Sequence, residues 1–191
     1  GDKSTGKAPE FAVITVETTT ANLTNSYPAT IKGKQDVEIR PMVSGFITKL
    51  HVDEGSVVRK GQVLFSIDPV QYQAAVNSAK AAVETAKAAV NTQELTVSNK
   101  RTLNQKNIIS DYDLQMAENQ LAQAKAQLAQ AEAQLVNAQN NLSYTNVTSP
   151  SDGIVGTIPY RVGSLVSPSM GTPLTTVADI SEMFAYFSMT E

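Results

Sequence analysis

Hydrophobic residues recur every seven positions through the middle of the chain. Leu114, Leu121, Leu128, Leu135 and Leu142 form one such row, and Ala117, Ala124, Ala131 and Ala138 follow the first four Leu at a spacing of three. That is an a/d heptad seam held over four repeats, the pattern of a coiled-coil helix. Upstream, Val76, Val83, Val90 and Val97 keep the same period, with Ala79 and Ala86 in the alternate seam positions. Gln93 and Lys100 continue that alternate row, so the first seam turns polar toward its far end. Val83, Val90, Leu121, Leu128 and Leu135 are expected to form the seam. The chain holds ten Gly and eight Pro, yet residues 70–149 contain neither. Both residues punctuate helices, so their absence permits two long ones.

Two heptad helices with a short link form an antiparallel hairpin. Asp68-Pro69 reads as N-cap and first helical residue, where the missing Pro N–H is harmless. The first pattern ends near Asn107. Ser110 then caps the second helix, with Asp113 as a short-armed capping box and Ile109 with Leu114 as a hydrophobic staple. Arms of about 35 residues reach roughly 50 Å at 1.5 Å per residue. The strict seven-residue period implies a left-handed supercoil.

The flanks read as short strands between glycines, and they repeat. The first copy runs Ser44-Gly45-Phe46-Ile47, then Glu54-Gly55-Ser56-Val57-Val58, then Gly61-Gln62-Val63-Leu64. The second runs Asp152-Gly153-Ile154-Val155, then Val162-Gly163-Ser164-Leu165-Val166, then Gly171-Thr172-Pro173-Leu174. Self-similarity of this kind marks two copies of one supersecondary unit. Each is too small to bury a face alone; together they make a small two-sheet sandwich. The fold class is therefore α+β.

Composition narrows the chemistry. The chain has 191 residues, 17% of them charged, and a net charge of −3. That charge gives no electrostatic case for nucleic acid. Without Cys there is no disulfide framework, thiolate zinc site or thiol nucleophile. His51 is the single His, which excludes a multi-His metal site. It reads as a surface residue of the sandwich, and Asp53 and Glu54 as turn formers before Gly55. Gly153 and Gly156 precede no helix, so they make no phosphate loop. No set of nucleophile, base and orienting group can be assembled. The expectation is a non-enzymatic protein with no catalytic residues, metal or cofactor. No run approaches the roughly 18 apolar residues of a membrane-spanning helix.

The two β-halves, with Glu54-Gly55, Val58 and Gly61-Gln62-Val63-Leu64 in order, resemble a biotinyl/lipoyl domain. In such carriers a tight hairpin between the halves displays the acceptor Lys. Here the helical hairpin takes that place, and the split arrangement is similar to the periplasmic adaptors, or membrane fusion proteins, of tripartite efflux pumps. The likeness extends to Val37-Glu38-Ile39-Arg40-Pro41, to residues 141–150 leading into Asp152-Gly153, and to Phe184-Ala185-Tyr186-Phe187-Ser188. Its best subgroup match is to adaptors of resistance–nodulation–division transporters. The resemblance implies a discontinuous lipoyl-like domain over 37–68 and 147–180, with the helical hairpin at 69–146. Residues 11–36 would be strands of incomplete membrane-proximal and β-barrel domains, and 181–191 the start of the β-barrel. It also implies a chain that stops before most of those two domains. Residues 1–10 resemble the polar tether of a mature lipoprotein.

The resemblance further implies partners and a site. The partners are an inner-membrane transporter, an outer-membrane channel and further copies of the chain in a hexamer. The location is the periplasm, with anchoring to the inner membrane by an N-terminal lipid or segment. In these adaptors a tip motif of Arg, Leu four residues later and Ser seven beyond contacts the channel. Leu103 and Ser110 stand at that spacing; the Arg position is Asn99, with Lys100 and Arg101 beside it. Arg101, Leu103, Ile108 and Ser110 are thus the expected partner-binding residues. Ser110 is needed as a cap whatever else it does. Ala82, Ala89 and Ala129 belong to rows of small residues off the seam and are expected to pack neighbouring hairpins, although Ala is also simply the best helix former.

Three other functions compete. An adaptor of an ATP-driven exporter or a type I secretion system shares the architecture; a hairpin of about five heptads leans toward the efflux type. A biotin or lipoyl carrier needs a Lys in a tight β-turn, whereas Lys80, Lys87, Lys100, Lys106 and Lys125 all fall on the helical arms or their tip. A purely structural coiled coil needs no split sandwich.

Overall fold

In the computed structural model the described residues are 35–180. The expected strands within 11–34 and 181–191, and the tether at 1–10, lie outside them. The described part begins with strands β1 (Asp36–Ile39), β2 (Gly45–Leu50), β3 (Val57–Val58) and β4 (Val63–Ile67). Helices α1 (Val70–Gln105) and α2 (Asp111–Ser143) follow. Strands β5 (Asn146–Thr148), β6 (Gly153–Val155), β7 (Leu165–Val166) and β8 (Thr175–Asp179) complete it. The fold is the α+β sandwich with an inserted helical hairpin that the sequence pattern predicts.

The internal repeat becomes an exchange of strands. One sheet has the order β1-β8-β6-β3 and the other β5-β4-β2-β7, with antiparallel pairing throughout. Each sheet takes its two central strands from one copy and its two outer strands from the other. The exchange is reciprocal at the level of single bonds. Gly55 N–H donates to the Val155 carbonyl and Gly163 N–H to the Ile47 carbonyl, both at 2.8 Å. In return Val155 N–H reaches the Ser56 carbonyl and Ile47 N–H the Ser164 carbonyl, both at 2.9 Å. Gly55 and Gly163 have φ of 82° and 96°, a region open to Gly without a Cβ penalty. Because each half completes the other's ladder, neither half closes a sandwich alone. Ile47, Val58, Phe65, Val155, Val166, Leu174 and Val177 fill the space between the sheets. Glu54 does more than form a turn. Its carboxylate accepts the Ile158 N–H at 2.8 Å, and Asp152 accepts the Lys60 N–H at 2.8 Å, so a carboxylate from each copy ties down a loop of the other.

Gly45 and Gly153 hold equivalent places but differ in crowding. A Cβ on Gly45 would meet a methyl of Ile67 at 2.6 Å, whereas on Gly153 it would meet the Ala178 carbonyl oxygen at 2.2 Å. A methyl can rotate away; a backbone oxygen in a ladder cannot. Gly153→Ala is therefore expected to cost about 1–3 kcal/mol in overpacking and to lower the thermal midpoint more than Gly45→Ala. Equal midpoints for the two variants in a melting experiment would show that the sheets yield at this point.

The hairpin is anchored in the sandwich at both arms. Ile67 N–H donates to the Thr145 carbonyl at 2.7 Å, and Asp68 N–H to the Phe46 carbonyl at 2.9 Å. Tyr72 O–H donates to the Ser44 carbonyl. At the far end Asn104 Nδ2 donates to Asp111 Oδ1 at 2.8 Å. Bonds across both ends make the arms antiparallel. The start of α1 lies one residue later than expected. Pro69 occupies the cap position in a helical conformation, with no side-chain cap bond, while Asp68 Oδ1 one residue earlier accepts the Val70 N–H at 3.1 Å.

Within the seam the weights differ from expectation. Val76, Val83, Val90 and Val97 are buried, as are Ala117, Ala124, Ala131 and Ala138. Leu121, Leu128 and Leu135 are only half-buried. The reason is reach. Short Ala side chains lie near the line of closest approach and are covered by longer neighbours, whereas Leu extends past the edge of a two-helix interface. Both rows belong to the seam, but its dry centre is Val from one arm and Ala from the other.

Candidate functional site at the hairpin tip

The link between the helices is residues 106–110, and it is built as two interlocked caps. Lys106 ends α1 and Asn107 follows with φ of 63°, the one described non-Gly residue at positive φ. Asn is the residue after Gly that best tolerates this left-handed conformation. Ile108 N–H reaches back to the Leu103 carbonyl and Asn107 N–H to the Asn104 carbonyl, both at 2.9 Å. This pair of bonds is a Schellman motif, which often brings together the two apolar residues at its ends, here Leu103 and Ile108. Ser110 then caps α2: its Oγ accepts the Asp113 N–H at 3.1 Å, as expected of the capping box. Asn104 Nδ2 also donates to the Ile109 carbonyl at 3.3 Å, which holds the link against α1. Ile109 and Leu114, the expected staple, are both half-buried.

The expected tip residues therefore have unequal settings. Ile108 is 63% exposed, held outward by a fixed backbone. Leu103 is half-buried beneath it. Ser110 is exposed but its hydroxyl is committed to the cap. Arg101 does not stand free: its guanidinium pairs with Glu118 of the other arm at 3.0 Å. Lys106 is the exposed cation nearest the turn. Two residues that the sequence reading passed over complete the surface. Tyr112 is 70% exposed in the first turn of α2, and Met116 is exposed one turn on. Both sit outside the a/d register, and that was the available signal: large apolar side chains at solvent-facing heptad positions. Asn107 was legible too, as the one residue near the end of the first pattern suited to positive φ.

Ala82, Ala89 and Ala129 are exposed and face away from the seam. On the sandwich, His51 is exposed just beyond β2, its Nε2 at 2.8 Å from Ser66 Oγ. Among the described residues no cluster of His, Cys, Asp or Glu has the makings of a metal site. No described helix is long and apolar enough to cross a membrane.

The arrangement is a sandwich split by a hairpin of 36- and 33-residue helices with an apolar, tightly capped tip. A family model described as "RND MFP, barrel-sandwich hybrid domain" matches residues 35–178. The chain belongs to this RND membrane fusion protein family. It is 34% identical over 187 residues to the multidrug resistance protein MdtE of Escherichia coli K12, covering 96% of this chain and 49% of MdtE. It is 37% identical over 176 residues to the multidrug efflux pump subunit AcrA of the same strain, covering 92% of this chain and 44% of AcrA. Among solved structures, MacA from Actinobacillus actinomycetemcomitans aligns with a TM-score of 0.59 and 33% identity, over 77% of this chain and 50% of that one. The chain thus spans about half the length of the curated RND membrane fusion proteins it matches.

Proposed function

We propose that this chain is part of the adaptor subunit of a multidrug efflux complex. The hairpin tip engages an outer-membrane channel, and segments beyond the described residues hold an inner-membrane transporter. The observation that carries the reading is the tip itself. A large apolar side chain, Ile108, is held in solvent by a Schellman turn and a Ser cap, about 50 Å from the sandwich. The relatives support the setting: MdtE is a multidrug resistance protein and AcrA a multidrug efflux pump subunit. In this reading residues 37–68 and 147–180 form the lipoyl-like domain and 69–146 the hairpin. Flanking residues 11–36 and 181–191 lead into membrane-proximal and β-barrel domains. The adaptor works in the periplasm, anchored to the inner membrane by an N-terminal lipid or segment. Its role is mechanical continuity rather than catalysis. Leu103 supports Ile108 at the contact, Ser110 fixes the turn, and Arg101 pairs across the arms just below it. A tagged full-length protein, cross-linked in intact cells, is expected to recover an inner-membrane transporter and an outer-membrane channel together. Recovery of neither contradicts the proposal.

Self-assembly is the second part. The strand exchange gives the two outer faces of the sandwich equivalent apolar pairs: Phe46 beside Leu165 on one, Val57 beside Ile154 on the other. All four side chains are exposed. Asp68 borders the first pair, and Arg59, Lys60 and Asp152 the second, which leaves the second face net positive. Unlike faces of opposite charge favour head-to-tail contact, which closes into rings when the rotation allows. A hexamer is the proposed state, with Ala82, Ala89 and Ala129 letting adjacent hairpins approach. These 191 residues contain no Cys, so the introduced thiols are the only ones in this part of the protein. Cells co-expressing Leu165→Cys and Val57→Cys chains are expected to give cross-linked heterodimers, and either variant alone none. Equal dimer yield from the single variants points instead to a symmetric contact.

A further inference from the structure

The seam has one break in its apolar continuity. Gln93 occupies the position that Ala79 and Ala86 fill in the two preceding heptads. Its side-chain oxygen is buried and accepts no hydrogen bond. Counting along α2 from the Arg101–Glu118 pair puts Gln93 level with the stretch around Ala124, where the seam positions themselves are Ala and Leu. A buried acceptor without a donor favours any state in which water can reach it. The next seam position is Lys100, half-buried, so two successive layers on the tip side lack an apolar residue from this row.

The ties change character at the same level. Below Gln93 the arms are joined by Val76, Val83 and Val90 against the buried Ala row. Above it Val97 is the only fully buried residue of α1. Ala117 of α2 is buried there as well, and polar ties also cross between the arms: Arg101 to Glu118 at 3.0 Å and Asn104 to Asp111 at 2.8 Å. The Arg101 and Glu118 side chains are 51% and 37% exposed, so their pairing is open to salt and water.

We infer that Gln93 divides the hairpin into two cooperative units: a closed base and a tip segment, residues 94–121, whose arms separate while the base stays packed. The inference rests on the adaptor reading only for its use, since a tip that opens independently can fit its arms to a partner without strain on the sandwich. The physical division stands on the seam alone. Local opening of this kind is what native-state hydrogen exchange resolves.

Hydrogen exchange by mass spectrometry on the complete protein tests it. In the wild type, peptides over 97–103 and 114–121 are expected to exchange at least about tenfold faster than those over 76–90 and 128–138. Gln93→Leu, which removes the orphan acceptor, is expected to slow the tip set by about tenfold or more and leave the base set unchanged. Gln93→Met, a closer match in shape, guards against misfolding of the Leu variant and is expected to do the same. Uniform protection along the wild-type arms overturns the inference, as does unchanged tip exchange in both folded variants. Since exchange is read without a partner, either negative result leaves docking by Ile108 standing, and loss of docking leaves the exchange result standing.

Discussion

Ile108→Asp in the full-length protein is expected to abolish the proposed efflux function while the helical signal of the protein is unchanged. The two halves of that expectation have separate causes. Ile108 is mostly in solvent and its backbone N–H, not its side chain, closes the Schellman motif. A surface substitution of that kind shifts stability by no more than about 0.5 kcal/mol. At an apolar contact the same carboxylate must shed its water. A penalty of about 3 kcal/mol already weakens docking more than a hundredfold. Leu103→Asp is the less informative variant, because Leu103 is half-buried and the change loosens the tip as well as the contact. Drug accumulation in cells, with circular dichroism of the purified variant, decides the matter. Wild-type export by folded Ile108→Asp would remove the tip from the docking surface.

Val83→Asp unfolds the hairpin. Val83 is 5% exposed in the dry centre of the seam. A carboxylate placed there faces Val and Ala side chains, with a destabilisation on the order of several kcal/mol. Two arms without their seam are not stable helices, since most helical stability in proteins comes from packing an apolar face. Far-ultraviolet circular dichroism is expected to lose more than half its helical amplitude. Ala82→Asp, one residue earlier and exposed, is the control and is expected to change little. Leu128→Asp falls between the two, because Leu128 is half-buried. If Val83→Asp and Ala82→Asp give the same spectrum, the assigned register is wrong.

How far the sequence disclosed this molecule depended on which interactions were periodic. The seven-residue rows placed both helices, their antiparallel sense and all four buried Val. The spacing of Gly45, Gly55, Gly153 and Gly163 disclosed the repeat. What it could not disclose was that the copies exchange outer strands, since partner choice in a sheet depends on contacts between residues far apart in the chain, such as Ser66 with Asn146 and Asp36 with Ala178. Glu54 looked like a turn residue for the same reason: its partner, the Ile158 N–H, is remote in sequence. At the tip, Ser110 was legible because capping is local. Arg101 was expected at the partner contact; its pairing with Glu118 was not legible, because it depends on the register between arms. The burial of Ala over Leu followed from interface width, which the heptad pattern does not encode. Gln93 was visible as a polar seam residue, but its missing donor emerged only with the opposite arm in place.

The central claim is that Ile108 meets an outer-membrane channel. A photo-reactive amino acid at position 108 of the full-length protein, activated in living cells, tests it most directly. The account predicts one dominant adduct, with an outer-membrane channel protein, lost when the same probe is moved to position 82. An adduct with an inner-membrane protein, or no adduct in cells that export normally, would contradict it.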